Sequence, residues 1–341
     1  MSPWLVAVLV FSVLTAALGV SARFVSLPYD SLGPGTARAV NSVVSVKGHP
    51  SYPPRGQLLY TTVSVRERVN PYEALAGWLD PEVDVIPEQK VRGDTPADIF
   101  RQQNVEAMAD SKTTAELLAL RHLGFTDLGG GAEIVSVDPA MPAAPLLRPE
   151  DVIVEVDGQP VSTSDEAGTA IRAHKPGDTV RLRILREGSG PLDLEAPLGE
   201  GEEGRALLGV RLTTKVKLPF EITIDSGKVT GPSAGLAYAL ELLDVLTPGE
   251  LTGGVPVAVT GDLQPDGTVG AIGGVAQKAA TVRRAGAKVF LVPNDNLVEA
   301  KAHAGGKLDV RGVGSFDEAL RVLGSLDGSN ALALGQPGAA T

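Results

Sequence analysis

The sequence predicts an α+β protein with three parts: an N-terminal transmembrane helix, a β-rich domain, and a domain that alternates strands with helices. Three observations carry this. Pro3 to Ala22 is a run of 20 residues without a charge. Residues 124 to 198 read as short alternating strands separated by Pro and Gly turns. Beyond residue 205, strand-like runs alternate with two helical runs of three- and four-residue apolar spacing. A length of 341 residues fits two such domains plus an appendage.

Composition narrows the chemistry. The formal net charge is -11, and no concentrated basic stretch could neutralise phosphates, so a nucleic-acid partner is not expected. There is no cysteine, which removes disulfides, thiol nucleophiles and thiolate zinc sites. His49, His122, His174 and His303 lie without ligand spacing, so no metal is expected. Hydroxyls, carboxylates, lysines and backbone remain, and no cofactor is called for.

The charge-free run would span roughly 30 Å as a helix, the thickness of a hydrocarbon core. Residues 1–22 are therefore expected to be a membrane anchor. Val20-Ser21-Ala22 also fits a signal-peptide cleavage pattern, which keeps a removed leader as the alternative. Only Arg23 flanks the run closely, so local charge does not fix its orientation.

Residues 23–115 begin with turn-rich pieces and hold one alternating run, Gln57 to Val65, that predicts a strand. Thr95-Pro96 predicts the start of a helix that continues toward Leu120. No chemical motif is visible here, and a membrane-proximal scaffold is the expectation. Over 116–198, Glu133 to Val137 predicts a strand, and Asp151 to Val156 leads into the hairpin signal Asp157-Gly158. Thr163 and Glu166 predict a capped helix, and Thr179 to Leu185 a closing strand. The strand, the Pro-Ala loop and the D-V-I-V-E-V-D-G-Q-P-V run resemble a PDZ domain of the bacterial type. That resemblance implies recognition of extended protein tails, with Leu123-Gly124-Phe125 as the carboxylate loop. Its alternative is a PDZ fold used as a spacer. Residues 199–204, Gly-Glu-Gly-Glu-Glu-Gly, read as an acidic linker.

In residues 205–325, Gly231-Pro232-Ser233-Ala234-Gly235 precedes a helix with leucines at 236, 240, 243 and 246. Ser233 is thus expected in the first helical turn, where unpaired N–H groups favour a developing oxyanion. It could equally be a helix cap. A phosphate loop is discounted, because the Lys-Ser/Thr pair is missing here and Gly305-Gly306-Lys307 lacks the hydroxyl. A second helix, from Val275, places Lys278 on its apolar stripe. Such a lysine either snorkels to solvent or is retained as a neutral amine of lowered pKa, able to take a proton from a serine. Ser-Lys is the simplest nucleophile and base pair this chain offers.

The runs G-P-S-A-G-L-A-Y-A-L, L-T-P-G-E-L-T-G-G and V-T-G-D-L-Q-P-D-G-T-V-G-A-I-G-G-V-A-Q-K occur in the order found in the proteolytic domain of Lon peptidases. The layout as a whole is similar to bacterial membrane-anchored PDZ-Lon proteases. The resemblance implies Ser233 as nucleophile, Lys278 as general base, Thr260 as the residue that orients the lysine, and Gly231, Pro232 and Ala234 as the surrounding loop. Many ATP-dependent relatives place an acid three residues before the serine, where this chain has Thr230. The resemblance further implies an ATP-independent serine endopeptidase acting on unfolded or flexible proteins. It also implies a catalytic part outside the cytoplasmic membrane and a homo-oligomer such as a hexamer; no nucleotide is implied. The rival expectations are a peptide-binding scaffold whose catalytic dyad is dispensable and a protease limited to self-processing. Residues 326–341 read as a tail.

Overall fold

A computed structural model describes Trp4 and residues 20–126, 128–201 and 204–331. The expected anchor falls largely outside these residues, as does the tail beyond Ala331. Among the described residues, no helix is long and apolar enough to cross a membrane. The chain forms two compact units, one of residues 1–45, 51–115 and 223–341, the other of residues 46–50 and 116–222.

The first unit opens with β1 (Tyr29–Ala39), β2 (Gln57–Arg66) and β3 (Asp84–Pro87). β1 pairs antiparallel with both β2 and β3. Between β2 and β3 lies α1 (Pro71–Leu79), started by a capping box in which Asn70 and Glu73 take each other's backbone N–H groups. After β3 comes α2 (Ala97–His122), beginning just past the predicted Thr95-Pro96 signal.

The second unit holds a six-strand antiparallel sheet, in which the short strand Gln159–Pro160 pairs beside five longer ones, and one helix of its own. The longer strands are β4 (Gly129–Val137), β5 (Val152–Val156), β6 (Thr179–Arg186), β7 (Gly190–Pro197) and β8 (Val210–Val216), and the helix is α3 (Ser164–Arg172). The order across the sheet is β8-β4-β5-β6-β7. Asp157 and Gly158 both adopt positive φ, at 49° and 81°, as the hairpin signal after β5 requires. Thr163 caps α3 by accepting the Glu166 N–H at 3.2 Å, while the Glu166 carboxylate takes the Ser162 N–H. Ile134, Ile153, Leu182, Ile184 and Ile171 fill the core.

Two expectations change in this unit. Residues 199–204 were expected to be a linker, but Gly199–Glu200 pairs with Ala206–Leu207. The strand run after Leu207 was expected to open the third domain. As β8 it instead pairs with β4 across Val210 to Val216. Alternation in a strand reports which residues are buried, and the sheet that buries them is chosen by partners distant in sequence.

The first unit resumes with α4 (Gly235–Leu246), β9 (Pro256–Val259), α5 (Val275–Ala285), β10 (Val289–Pro293) and β11 (Asp309–Val313). The sheet order is β11-β10-β9-β2-β1-β3, and β2, β9, β10 and β11 run parallel. The expected separate scaffold over 23–115 is therefore corrected: β1, β2 and β3 are half of the sheet that carries the later strands. In register, Leu58 and Leu59 lie opposite Val257 and Ala258. The reason is burial, since β9 can satisfy its second row of hydrogen bonds only on β2.

Successive residues of these strands point to opposite faces. Leu59, Ala258, Phe290 and Val292 pack with Val275, Ala279 and Val282 of α5. On the other face, Tyr60 meets Tyr238 of α4 with ring centroids 5.8 Å apart. α4 is buried almost all round, including Glu241 and Asp244. Burial pushes the Glu241 carboxyl up to about 8 and that of Asp244 up to about 7.

Phe290 is fully buried at the centre of this core. Phe290→Ala should cost ~3–5 kcal/mol in denaturant unfolding. A loss under 1 kcal/mol would show that the α5 face is not closely packed.

Candidate active site

The segment that carries Ser233 is held on both sides. Gly231 has a φ of +86°, which only glycine adopts without strain, and its N–H donates to the Asn104 carbonyl at 2.9 Å. Ser111 Oγ donates to the Pro232 carbonyl at 2.9 Å. Both partners belong to α2, where the sequence shows no chemical motif. On the other side, the Ser233 carbonyl accepts the Gly261 N–H at 2.9 Å and the Thr260 hydroxyl at 3.0 Å.

Ser233 itself lies two residues before α4, in the turn whose Gly235 N–H bonds the Pro232 carbonyl, so the expectation of a first-turn serine is corrected. The turn closes by a bond from residue i+3 to residue i, and i+4 to i helical bonding begins only with the Tyr238 N–H on the Ala234 carbonyl. Ser233 still faces the N-terminal, positive end of α4.

Thr260 directly follows β9, at the carboxyl end of a parallel strand, the usual place for a site in such sheets. Its N–H is fixed by the Leu291 carbonyl at 3.0 Å. Lys278 comes from the second turn of α5. That helix starts at Gly274, which has a φ of +66°, and a Cβ there would sit 2.6 Å from Val63 Cγ2. The preceding loop is pinned by Asn296, which bonds both the N–H and the carbonyl of Ile272.

These elements converge on one contact. Lys278 Nζ lies 2.7 Å from Ser233 Oγ and donates to Thr260 Oγ1 at 2.9 Å. Lys278 is 3% exposed, so the snorkelling alternative does not hold. Burial alone lowers its pKa to about 7, because the ammonium loses its water without gaining a countercharge. The Thr260 hydroxyl hydrogen is engaged by the Ser233 carbonyl, so toward Lys278 this oxygen can only accept. One amine hydrogen is thereby directed at Thr260, and the lone pair of a neutral amine is left for Ser233. The arrangement can remove the proton of a serine hydroxyl near neutral pH.

The structure thus brings Ser233, Lys278 and Thr260 together with Gly231, Pro232 and Ala234. It does not place Leu123-Gly124-Phe125 at a binding edge. Leu123, Gly124 and Phe125 end α2 by donating to the Ala119, Arg121 and Leu120 carbonyls. Phe125 also packs edge-on against Phe220, with centroids 5.8 Å apart. The strand that follows, β4, is interior, between β8 and β5, and among the described residues the outermost strand beside α3 is β8. An apolar groove of about 260 Å³ lies there, lined by Met141, Ile171, Arg172, Leu208, Val210 and Leu212. Leu208-Gly209-Val210, just before β8, carries the same apolar-Gly-apolar signal as Leu123-Gly124-Phe125. Pattern alone could not choose between them. Among the described residues, no cluster of His, Cys, Asp or Glu could hold a metal ion.

Comparison with known proteins agrees with this geometry. Residues 122–195 match the PDZ domain family, and residues 216–323 match the Lon protease (S16) C-terminal proteolytic domain. A Lon protease of Desulforamulus reducens is 27% identical over 47% of this chain and 22% of its own length. One from Chloroflexus aggregans is 30% identical over 43% of this chain and 20% of its own. One from Mycolicibacterium smegmatis is 28% identical over 50% of this chain and 25% of its own. The chain therefore spans about a fifth to a quarter of the relatives it matches.

Three outcomes follow from the site. Reaction of Ser233 with a fluorophosphonate should rise ~tenfold per pH unit below about 7 and level off above it, as the amine loses its proton. A flat profile from pH 5 to 9 would exclude Lys278 as the base.

Lys278→Met should stabilise the fold at pH 7. Between pH 7 and about 10.4 the unfolded lysine is protonated and the native one is not, so wild-type stability climbs by about 1.4 kcal/mol per unit. The gap between variant and wild type should accordingly shrink by pH 10 in thermal unfolding, and a constant gap would contradict the buried amine.

Ser111→Ala removes the donor to the Pro232 carbonyl and should cut kcat by ~tenfold, about 1.4 kcal/mol, with KM nearly unchanged. An unaltered kcat would show that α2 does not hold the serine loop. Within these matches and this geometry, the chain carries a PDZ domain and, over residues 216–323, a Lon-type serine peptidase domain.

Proposed function

We propose that the protein is a membrane-anchored, ATP-independent serine endopeptidase that cuts unfolded or flexible protein segments. The observation that carries this is the 2.7 Å contact between Ser233 Oγ and a lysine amine that burial brings near neutrality. Ser233 Oγ attacks the peptide carbonyl carbon as its proton passes to Lys278 Nζ. N–H groups of the turn at Ser233 and Ala234 receive the oxyanion, helped by the positive end of α4. Pro232 has no N–H and shapes the turn instead. Collapse of the intermediate breaks the C–N bond, and Lys278 returns the proton to the leaving amine. Water then attacks the acyl carbon as Lys278 takes its proton, the ester C–O bond breaks, and the lysine returns the proton to Ser233 Oγ.

The PDZ domain would supply substrate. The groove between α3 and β8, the outermost strand of the sheet, suits an extended protein C-terminus. ATP independence belongs to the same proposal, on the resemblance of the layout to membrane-anchored PDZ-Lon proteases. Substrates must then arrive without a folded core. The charge-free run 3–22 supports a single-pass anchor, and the extracytoplasmic side for the catalytic part is taken from the family resemblance. Assembly as a homo-oligomer such as a hexameric ring is part of the same proposal.

Ser233→Ala should abolish cleavage of an unfolded protein and leave thermal unfolding unchanged. A proteome-wide comparison of N-termini between wild-type and Ser233→Ala cells should show a set of missing cuts, which names the substrates. Full activity in the purified variant would refute the assignment. A chain mass altered only in the wild type, with no other lost cut, would indicate self-processing. Unimpaired cellular function in the variant would favour a scaffold.

A further inference from the structure

Helix α1 has its polarity reversed for a surface helix. Its inward residues are Ala74 and Gly77, both buried, and a Cβ on Gly77 would lie 2.4 Å from Val85 Cγ2. Its outward residues include Tyr72, Leu75, Trp78 and Leu79, exposed by 48, 53, 61 and 77%. Spaced at i, i+3, i+6 and i+7, they make one apolar stripe. A surface helix normally turns such a stripe toward the core. The stripe is held in place: the capping box fixes the start of the helix, and Trp78 packs edge-on against Tyr29 at 6.4 Å.

The chain leading into this place is itself apolar. The turn Ala22–Phe24 packs on α1, and Phe24 and Val25 are 84 and 50% exposed. Leu27 N–H bonds the Val69 carbonyl, and Val69 N–H bonds the Tyr29 carbonyl, both at 2.9 Å, which ties this stretch to the residues before α1. Directly before it stand the 20 charge-free residues from Pro3 to Ala22.

We infer that the α1 stripe and Phe24 rest in the headgroup layer of the bilayer that residues 3–22 enter. This rests on the anchor proposed above. Tryptophan and tyrosine favour that layer, where the ring is partly desolvated and its polar atom stays wet. With a net charge of -11, the protein has no general attraction to anionic lipid, so adhesion must come from apolar side chains. Because β2 and β3 flank α1 in sequence and lie in the sheet that leads to Thr260, a seated α1 would hold the proteolytic unit at the membrane surface.

The chain has two tryptophans, Trp4 and Trp78, and each reports on one question. The full chain should be reconstituted as Trp4→Phe and as Trp78→Phe into phosphatidylcholine vesicles brominated near the headgroups or near the bilayer centre. In Trp4→Phe, Trp78 should lose fluorescence, more to the shallow bromine than to the deep one. If Trp4 is quenched in Trp78→Phe while Trp78 is not, the anchor stands and the α1 inference is overturned. If neither is quenched, both are overturned. Trp78 shielded from bromine and from aqueous acrylamide alike would mean that protein covers the stripe, which also overturns the inference. Quenching of Trp78 without that of Trp4 would support lipid contact by α1 and refute the anchor.

Discussion

The catalytic unit depends on keeping one amine dry. Lys278 is 3% exposed, and no opposite charge compensates the lost hydration, so its proton is weakly held. Every other feature of the site serves that condition or uses it. α5 must press against the sheet to exclude water, Gly274 must allow close approach to Val63, and Thr260 must present an acceptor in place of solvent. A buried lysine without such an acceptor would be an orphaned donor as well as an unstable charge.

That condition explains why the early strands belong to the catalytic sheet. β2 pairs with β9, so Leu59 and Ala258 lie side by side under α5. Without β2, β9 would be an edge, and the floor beneath Lys278 would be open to water. The same economy places α2 beside the serine loop, where Asn104 and Ser111 hold Gly231 and Pro232. The Lon-type match begins at residue 216, yet the structure that makes its dyad work begins near residue 29.

Much of the local structure was legible in sequence because its causes are local. Asp157-Gly158 demands a tight turn, Thr163 a helix start, and the leucines from 236 to 246 a buried helix, and each is found there. The candidate site was legible for a different reason. Two helices whose apolar stripes include one lysine, and whose preceding loops are rich in glycine, restrict the available chemistry in a chain with no cysteine and no clustered histidine. Ser111 and Asn296 carried no signal, because a polar side chain in a helix or loop looks alike whether it bonds solvent or a distant carbonyl, and Asn104 contributes a main-chain carbonyl that its residue type does not announce.

The sequence by itself determined the element types, the exclusion of thiol chemistry, and Ser233, Lys278 and Thr260 as candidates. Only tertiary structure decided which strands share a sheet, that 210–216 closes the PDZ unit, and that Leu123-Gly124-Phe125 ends a helix while the groove forms beside β8. The reason is that strand pairing, burial and the distance between Nζ and Oγ arise from contacts between remote segments. Periodicity along the chain records that a residue is buried, and only the fold supplies the partner that buries it.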